Sequence, residues 1–182
     1  MKEVDVARLT QQAKDLGELS EQLRQKQLTA ARRRQEAILS LHAVGLSIRQ
    51  IATQLGCSAA VVQASVRAAK ARRPTIHRRE ERIPYELHVQ LGLKLHEDDA
   101  AVRRIGREGI ARMRRTPRSA IALEWISRWE QLLAAPVHVI ESAMLEDTPF
   151  ATELRQMSPF AGALSDDERV IAIRKASGLA PR

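Results

Sequence analysis

The stretch SIRQIATQLGCSAAVVQASVR, residues 47–67, decides the fold. Ser47 is placed to cap a helix, and Gln50, three residues on, completes an S-x-x-Q capping box. Ile48, Ile51, Ala52 and Leu55 then fall on one helical face. Gly56 stands where that helix must stop and the backbone turn, a position that favours positive φ. Ser58 is the next N-cap, with Val62 and Val66 as the inward face of a second helix. Ala52 leaves room for two helices to cross closely beside a short turn. Together these are the marks of a helix-turn-helix, with an ordinary helical hairpin buried in a core as the competing reading.

Charge selects the same segment. The 182 residues carry a net charge of +8, and the excess is unevenly placed. Residues 1–82 hold 16 Lys/Arg against 8 Asp/Glu, whereas residues 83–182 hold 14 of each. Within residues 24–79 there are 12 basic residues and one acid, Glu36. A block that basic, centred on a helix-turn-helix, is what contact with a phosphate backbone requires.

The pattern Ile51, Ala52, Leu55, Gly56, Ser58 and Val62 resembles the helix-turn-helix of resolvase-type recombinases and of sigma-factor region 4. The resemblance covers about residues 30–70, and it implies that the second helix enters the major groove of double-stranded DNA. Ser58, Gln63 and Arg67 are then the expected readers of base edges, glutamine suiting adenine and arginine guanine. Arg32, Arg33, Arg34, Arg49, Lys70, Arg72 and Arg73 are the expected backbone contacts, which hold register without reading sequence. One departure limits what the module reads: its second helix opens with Ala59, Ala60 and Val61, where relatives often carry polar residues.

On either side of the motif the chain reads as helical throughout, which predicts an all-α protein. Residues 1–28 form an N-terminal helix in which Leu9, Leu16 and Leu23 recur every seven residues, with Val6 and Ala13 three positions before the first two. That seam suits either a dimerising coiled coil or packing against the protein's own helix-turn-helix. Residues 29–73 form the helix-turn-helix domain, its first helix opening at Thr29 and ending at Gly45. Residues 74–83 are a basic linker, and residues 84–182 a small C-terminal helical domain. A short strand is the alternative near residues 89–95, where apolar residues alternate. Pro117 is expected to start the helix that carries Trp125 and Trp129. These two are the natural centre of the C-terminal core, because the chain is only 3% aromatic. Phe150 and Phe160, each after a proline, are read as core plugs, with anchors for a partner chain as the alternative.

A second DNA contact is expected from the linker (Arg78, Arg79, Arg82) or from the basic helix that follows (Arg103, Arg104, Arg107, Arg112, Arg114, Arg115), unless the protein reaches specificity as a homodimer on half-sites about one helical turn apart. No motif for catalysis, metal binding or a cofactor is found. His96, Glu97, Asp98 and Asp99 are the only dense titratable cluster, and a helix start explains them. Gly106 and Gly109 lie within a helical pattern and make no dinucleotide fingerprint. A single cysteine, Cys57, a charged start from Lys2 and no apolar run near the ~20 residues of a membrane span suggest a cytoplasmic, nucleoid-associated protein. The expected function is a non-enzymatic, sequence-specific transcriptional regulator, a repressor acting by operator occupancy. The alternative is an antitoxin that autoregulates its operon and holds a toxin through its C-terminal half, where residues 136–168 carry seven acids and one base, Arg155. That half resembles, loosely, those of actinobacterial regulators of this kind.

Overall fold

A computed structural model describes residues 5–76, 78–116 and 119–178, the side chain of Arg79 excepted. Among the described residues the chain forms helices and no strand, so the all-α expectation holds. Helix α1 runs Val6–Ala43 without a break. Thr29 therefore lies inside a helix and does not open one: residues 24–34 contain neither Gly nor Pro, and nothing there stops the helical ladder. Asp5 caps α1 by accepting from Arg8 N at 3.0 Å. At its far end Gly45, at φ +110°, turns the chain, and His42 Nδ1 lies 3.0 Å from Leu46 O.

Helices α2 (Ile48–Leu55) and α3 (Ala59–Ala71) follow. They share a small core with the second half of α1, built from Ile38, Leu39, Ile51, Ala52, Val62, Val66 and Ala69. Cys57 packs against this cluster as a small partly buried residue. Leu55, at the outer end of its two-turn helix, stays 43% exposed and is not part of that core.

The rest of the chain is a bundle around α4 (Arg79–Glu97). That helix is straightforwardly α through residues 89–95, so no strand forms there. It begins before Pro84, which it carries in its second turn, and Glu80 and Glu81 in its first turn suit the helix dipole. The stretch between α3 and α4 is correspondingly short, seven residues from Arg72 to Arg78. Helices α5 (Asp99–Arg114), α7 (Val137–Leu145), α8 (Pro149–Gln156) and α9 (Asp166–Gly178) all pack on α4, and α6 (Ala120–Leu132) packs on α5. Ser119 caps α6, while Pro117 lies outside the described residues. The expected capping box of α9 is formed, with Glu168 N donating to Ser165 Oγ at 3.2 Å and Ser165 N to Glu168 Oε2 at 2.6 Å.

Trp129 is the fully buried centre of the bundle. Its Nε1 donates to Leu154 O at 3.1 Å, and Phe160 meets it edge-on at 5.1 Å between centroids. Trp125 is peripheral, tilted against Phe150, and Phe150 is 43% exposed where a core plug was expected. The two glycines of α5 allow the loop after α8 to approach closely. A Cβ on Gly109 would stand 1.9 Å from Pro159 O, and one on Gly106 2.8 Å from the Phe160 ring. His88 stacks on Trp129, with Nδ1 2.7 Å from Pro84 O and Nε2 3.0 Å from Ser158 Oγ. A carbonyl only accepts, so Nδ1 carries the proton and Nε2 accepts from the serine.

The helix-turn-helix is not tethered loosely to this bundle. Arg73, just past the end of α3, lies 5% exposed between Glu36 of α1 and Glu86 of α4. Its Nη1 and Nη2 donate to the two Glu36 oxygens at 3.0 and 2.8 Å. Nε and Nη2 donate to Glu86, and Nη1 also to Ala69 O. Lys175 of α9 adds a contact to Glu36 at 3.5 Å, and Arg72 one at 3.3 Å. Burial alone lowers the pKa of Arg73, but Glu86 and Glu36 outweigh it and the net shift is upward. Burial likewise works against the Glu36 carboxylate, yet Arg73, Lys175 and Arg72 hold it below the ordinary range. Lys175 is shifted downward by burial. Arg174 Nη1 to Val44 O at 3.1 Å and Arg33 to Glu97 at 2.9 Å add outer contacts between the two parts.

Removing Arg73 leaves Glu86 buried without a cation and Glu36 with only its longer contacts to Lys175 and Arg72, so Arg73→Ala should cost about 3–5 kcal/mol of unfolding free energy in urea titrations at pH 7. Arg73→Lys should recover only part of that, because one ammonium cannot reproduce the five-donor fork. A second test uses His88, whose burial depresses its pKa to about 4. Between pH 6.5 and about 4 the unfolded chain binds a proton there that the folded protein does not, so stability falls as pH drops through that window. The loss attributable to His88 should reach about 2 kcal/mol by pH 5, and His88→Gln should abolish that part of the pH dependence.

Candidate nucleic-acid interface

The turn between α2 and α3 is built as its residues require. Ser47 Oγ accepts from Gln50 N at 3.3 Å while Gln50 Oε1 accepts from Ser47 N at 2.9 Å, closing the capping box. Gly56 takes φ +61°, and Cys57 N donates to Ala52 O at 3.1 Å across the turn. Ser58 caps α3, its Oγ accepting from Val61 N at 3.4 Å. Val62, Ser65, Val66 and Ala69 face inward. The opposite face presents Ala60, Gln63, Ala64, Arg67 and Lys70 to solvent. Gln63 and Arg67 are four residues apart, one turn on a shared outward stripe. Ser58, Gln63 and Arg67 are thus all on the exposed side of α3 or its cap.

The residues expected to touch the backbone divide into two groups. Arg32, Arg34, Arg49 and Lys70 are exposed. Arg72 is about one-third exposed and donates to Gln35 and Glu36. Arg33 is turned to Glu97 of the bundle. Arg73 is a correction to the expected set: held in the Glu36–Glu86 clamp, its side chain is buried and every guanidinium N–H is used. That burial also changes the local charge. Glu36, the one acid in residues 24–79, is buried and compensated by Arg73. The remaining surface of that segment therefore carries basic side chains with no carboxylate of its own between them.

The expected second contact fares unevenly. Arg78 is exposed, near Glu81 at 3.9 Å, whereas Arg82 is buried with Nε donating to Ile76 O at 3.0 Å. Arg82 is therefore a packing residue of the connection and is withdrawn from any surface. The side chain of Arg79 lies outside the described residues. On α5, Arg103 is tied to Asp99 and Leu133 O. Arg104 pairs with Glu108, and Arg114 forms a two-bond pair with Glu130. Arg107, Arg112 and Arg115 remain exposed.

The cluster at residues 96–99 is dispersed in four directions. His96 meets Glu141 at 3.0 Å, Glu97 meets Arg33, Asp98 caps α5, and Asp99 binds Arg103. Among the described residues no three His, Cys, Asp or Glu side chains gather in a way that holds a metal ion, and no helix is long and apolar enough to cross a membrane. Compared with family models, curated proteins and solved structures, the chain matches none.

Nothing stands within 4 Å of the Cβ that Gly56→Ala would introduce. Its cost is therefore purely conformational, roughly 1–2 kcal/mol for a left-handed residue, and Gly56→Asn should cost less; both are readable by urea denaturation.

Proposed function

We propose that this protein is a sequence-specific double-stranded DNA-binding regulator of transcription, a repressor that acts by occupying its operator. The observation that carries the reading is the outward face of α3. A capped helix-turn-helix presents Gln63 and Arg67 on one stripe, and the same segment exposes Arg32, Arg34, Arg49 and Lys70 with no surface carboxylate of its own. In this reading α3 lies in the major groove, Arg67 reads guanine and Gln63 reads adenine. Four cationic side chains fix the register on phosphates. Bound across a promoter, the protein blocks polymerase without any chemistry of its own. Ser58, whose hydroxyl is engaged in capping, contributes its exposed position and its backbone more than a free donor.

Selection of bound sequences from random duplex DNA, followed by titration across a salt series, tests this. With four phosphate contacts, affinity should fall roughly 150-fold between 50 and 200 mM salt. Arg67→Ala should cost about 1–3 kcal/mol on the selected site and relax preference at a single base pair. Arg128→Ala, on the distant α6, should bind as the parent does. A flat salt response, or no enriched sequence, would overturn the proposal.

A further inference from the structure

Residues 6–28 of α1 extend as about 34 Å of helix, and every side chain on that stretch is exposed. The hydrogen bonds its side chains make stay within the helix, such as Arg24 to Glu21 and Gln11 to Asp15. It does not pack on the helix-turn-helix, one of the two roles its seam suggested. With no packed face, this stretch is held helical by local propensity alone, which Gly17 weakens. One stripe of it is a heptad seam: Val6, Leu9, Ala13, Leu16, Ser20 and Leu23 follow at alternating spacings of three and four. Leu9, Leu16 and Leu23 are 45%, 58% and 56% exposed.

We infer that this seam binds a second copy of the same chain, with the two helices antiparallel and Leu16 level with Ala13 of the second copy. In that alignment Leu9 meets Ser20 and Leu23 meets Val6, so every layer sets a leucine against a smaller residue, as a dense seam requires. A parallel alignment would instead stack Ala13 on Ala13 and Ser20 on Ser20, leaving voids between the leucine layers. Charge points the same way. The antiparallel alignment sets Asp5 on the flank of the seam beside Lys26 of the second copy, whereas a parallel one sets it beside the uncharged Thr10. Both halves of every match come from one sequence, and that self-complementarity is what a two-fold contact between identical chains needs. The overlap ends where the seam does, before Gln27.

The inference does not depend on DNA binding. If the function proposed above also holds, the two copies of Ile38, at the base of each helix-turn-helix, stand roughly 70 Å apart along the rod. That is close to two turns of B-DNA rather than the one turn expected for a compact dimer.

Sedimentation equilibrium of the full chain, without DNA, provides the test. The expected mass is twice 20.4 kDa, falling to the single-chain value in Leu16→Lys. Circular dichroism of that variant should retain the cooperative unfolding of the bundle, which separates lost pairing from lost folding. Orientation is read by spin-label distances in a Cys57→Ala background. Labels at Gln25→Cys should lie about 32 Å apart along the axis and labels at Gln11→Cys about 10 Å; a parallel pair gives equal short distances at both. A single-chain mass for the parent overturns the inference and leaves the seam to a different protein. A dimer that survives Leu16→Lys, or equal label distances, overturns it as well. None of these measurements involves DNA, so the two readings fail separately.

Discussion

The guanidinium of Arg73, held between Glu36 and Glu86, fixes where the helix-turn-helix stands relative to everything else. One side chain joins the end of α3 to α1 and α4, and Lys175 brings in α9. All five N–H groups of Arg73 are used, and two carboxylates balance Arg73 and Lys175, so the buried cluster is near neutral. Such clusters add little net stability compared with apolar packing, since desolvation offsets much of the attraction. Their geometry is exacting, however, and a displaced α3 would leave charges unpaired in a dry interior. The energetic penalty therefore falls on misorientation more than on unfolding alone, and α3 is held at one angle to the bundle.

This clamp explains why two small cores behave as one body. Ile38, Leu39, Ile51, Val62 and their neighbours are few for a unit expected to fold independently. The cluster around Trp129 is larger, and α9, which packs on both α4 and α1, links it to the helix-turn-helix side. Seven residues, 72–78, are all that lies between α3 and α4. A flexible tether would need more chain and fewer ties than Arg82 to Ile76 O, Arg33 to Glu97 and Arg174 to Val44 O supply.

How much of this could be read beforehand follows from the range of each interaction. The capping boxes at Ser47 and Ser165, the turn at Gly56 and the inward Val62 and Val66 were legible because each depends on residues within a few positions. Trp129 as the core's centre was legible from scarcity of aromatics. Arg73 was not, because its partners lie 37 residues before and 13 after, and a basic run looks the same whether solvated or buried. Arg82 misled for the same reason. The continuity of α1 was missed because Thr29 followed by alanines imitates a start, and only the absence of any stop signal argues otherwise. Phe150 and Leu55 show the converse: a correct apolar pattern does not say which end of a short helix reaches the core.

A rigid frame matters more when the reading surface is poor. Between Ala60, Ala64 and Ala71, α3 offers Gln63 and Arg67 as its long polar side chains toward the middle of its exposed face, and two such groups distinguish few base pairs. In the proposed function, specificity must then come from position: from Gln63 and Arg67 meeting base edges at one angle, and from a second module at a set distance. The ion cluster supplies the first condition. The unbroken 38 residues of α1 supply the second, since the helix that ends in the Ile38–Leu39 contact is the same one that carries the leucine seam. Without a break near Thr29 there is no hinge between seam and reading head. If α1 pairs as inferred and α3 reads DNA as proposed, the spacing between the two heads is set by helical rise, and the stiffness of α1 compensates for the few polar side chains that α3 presents.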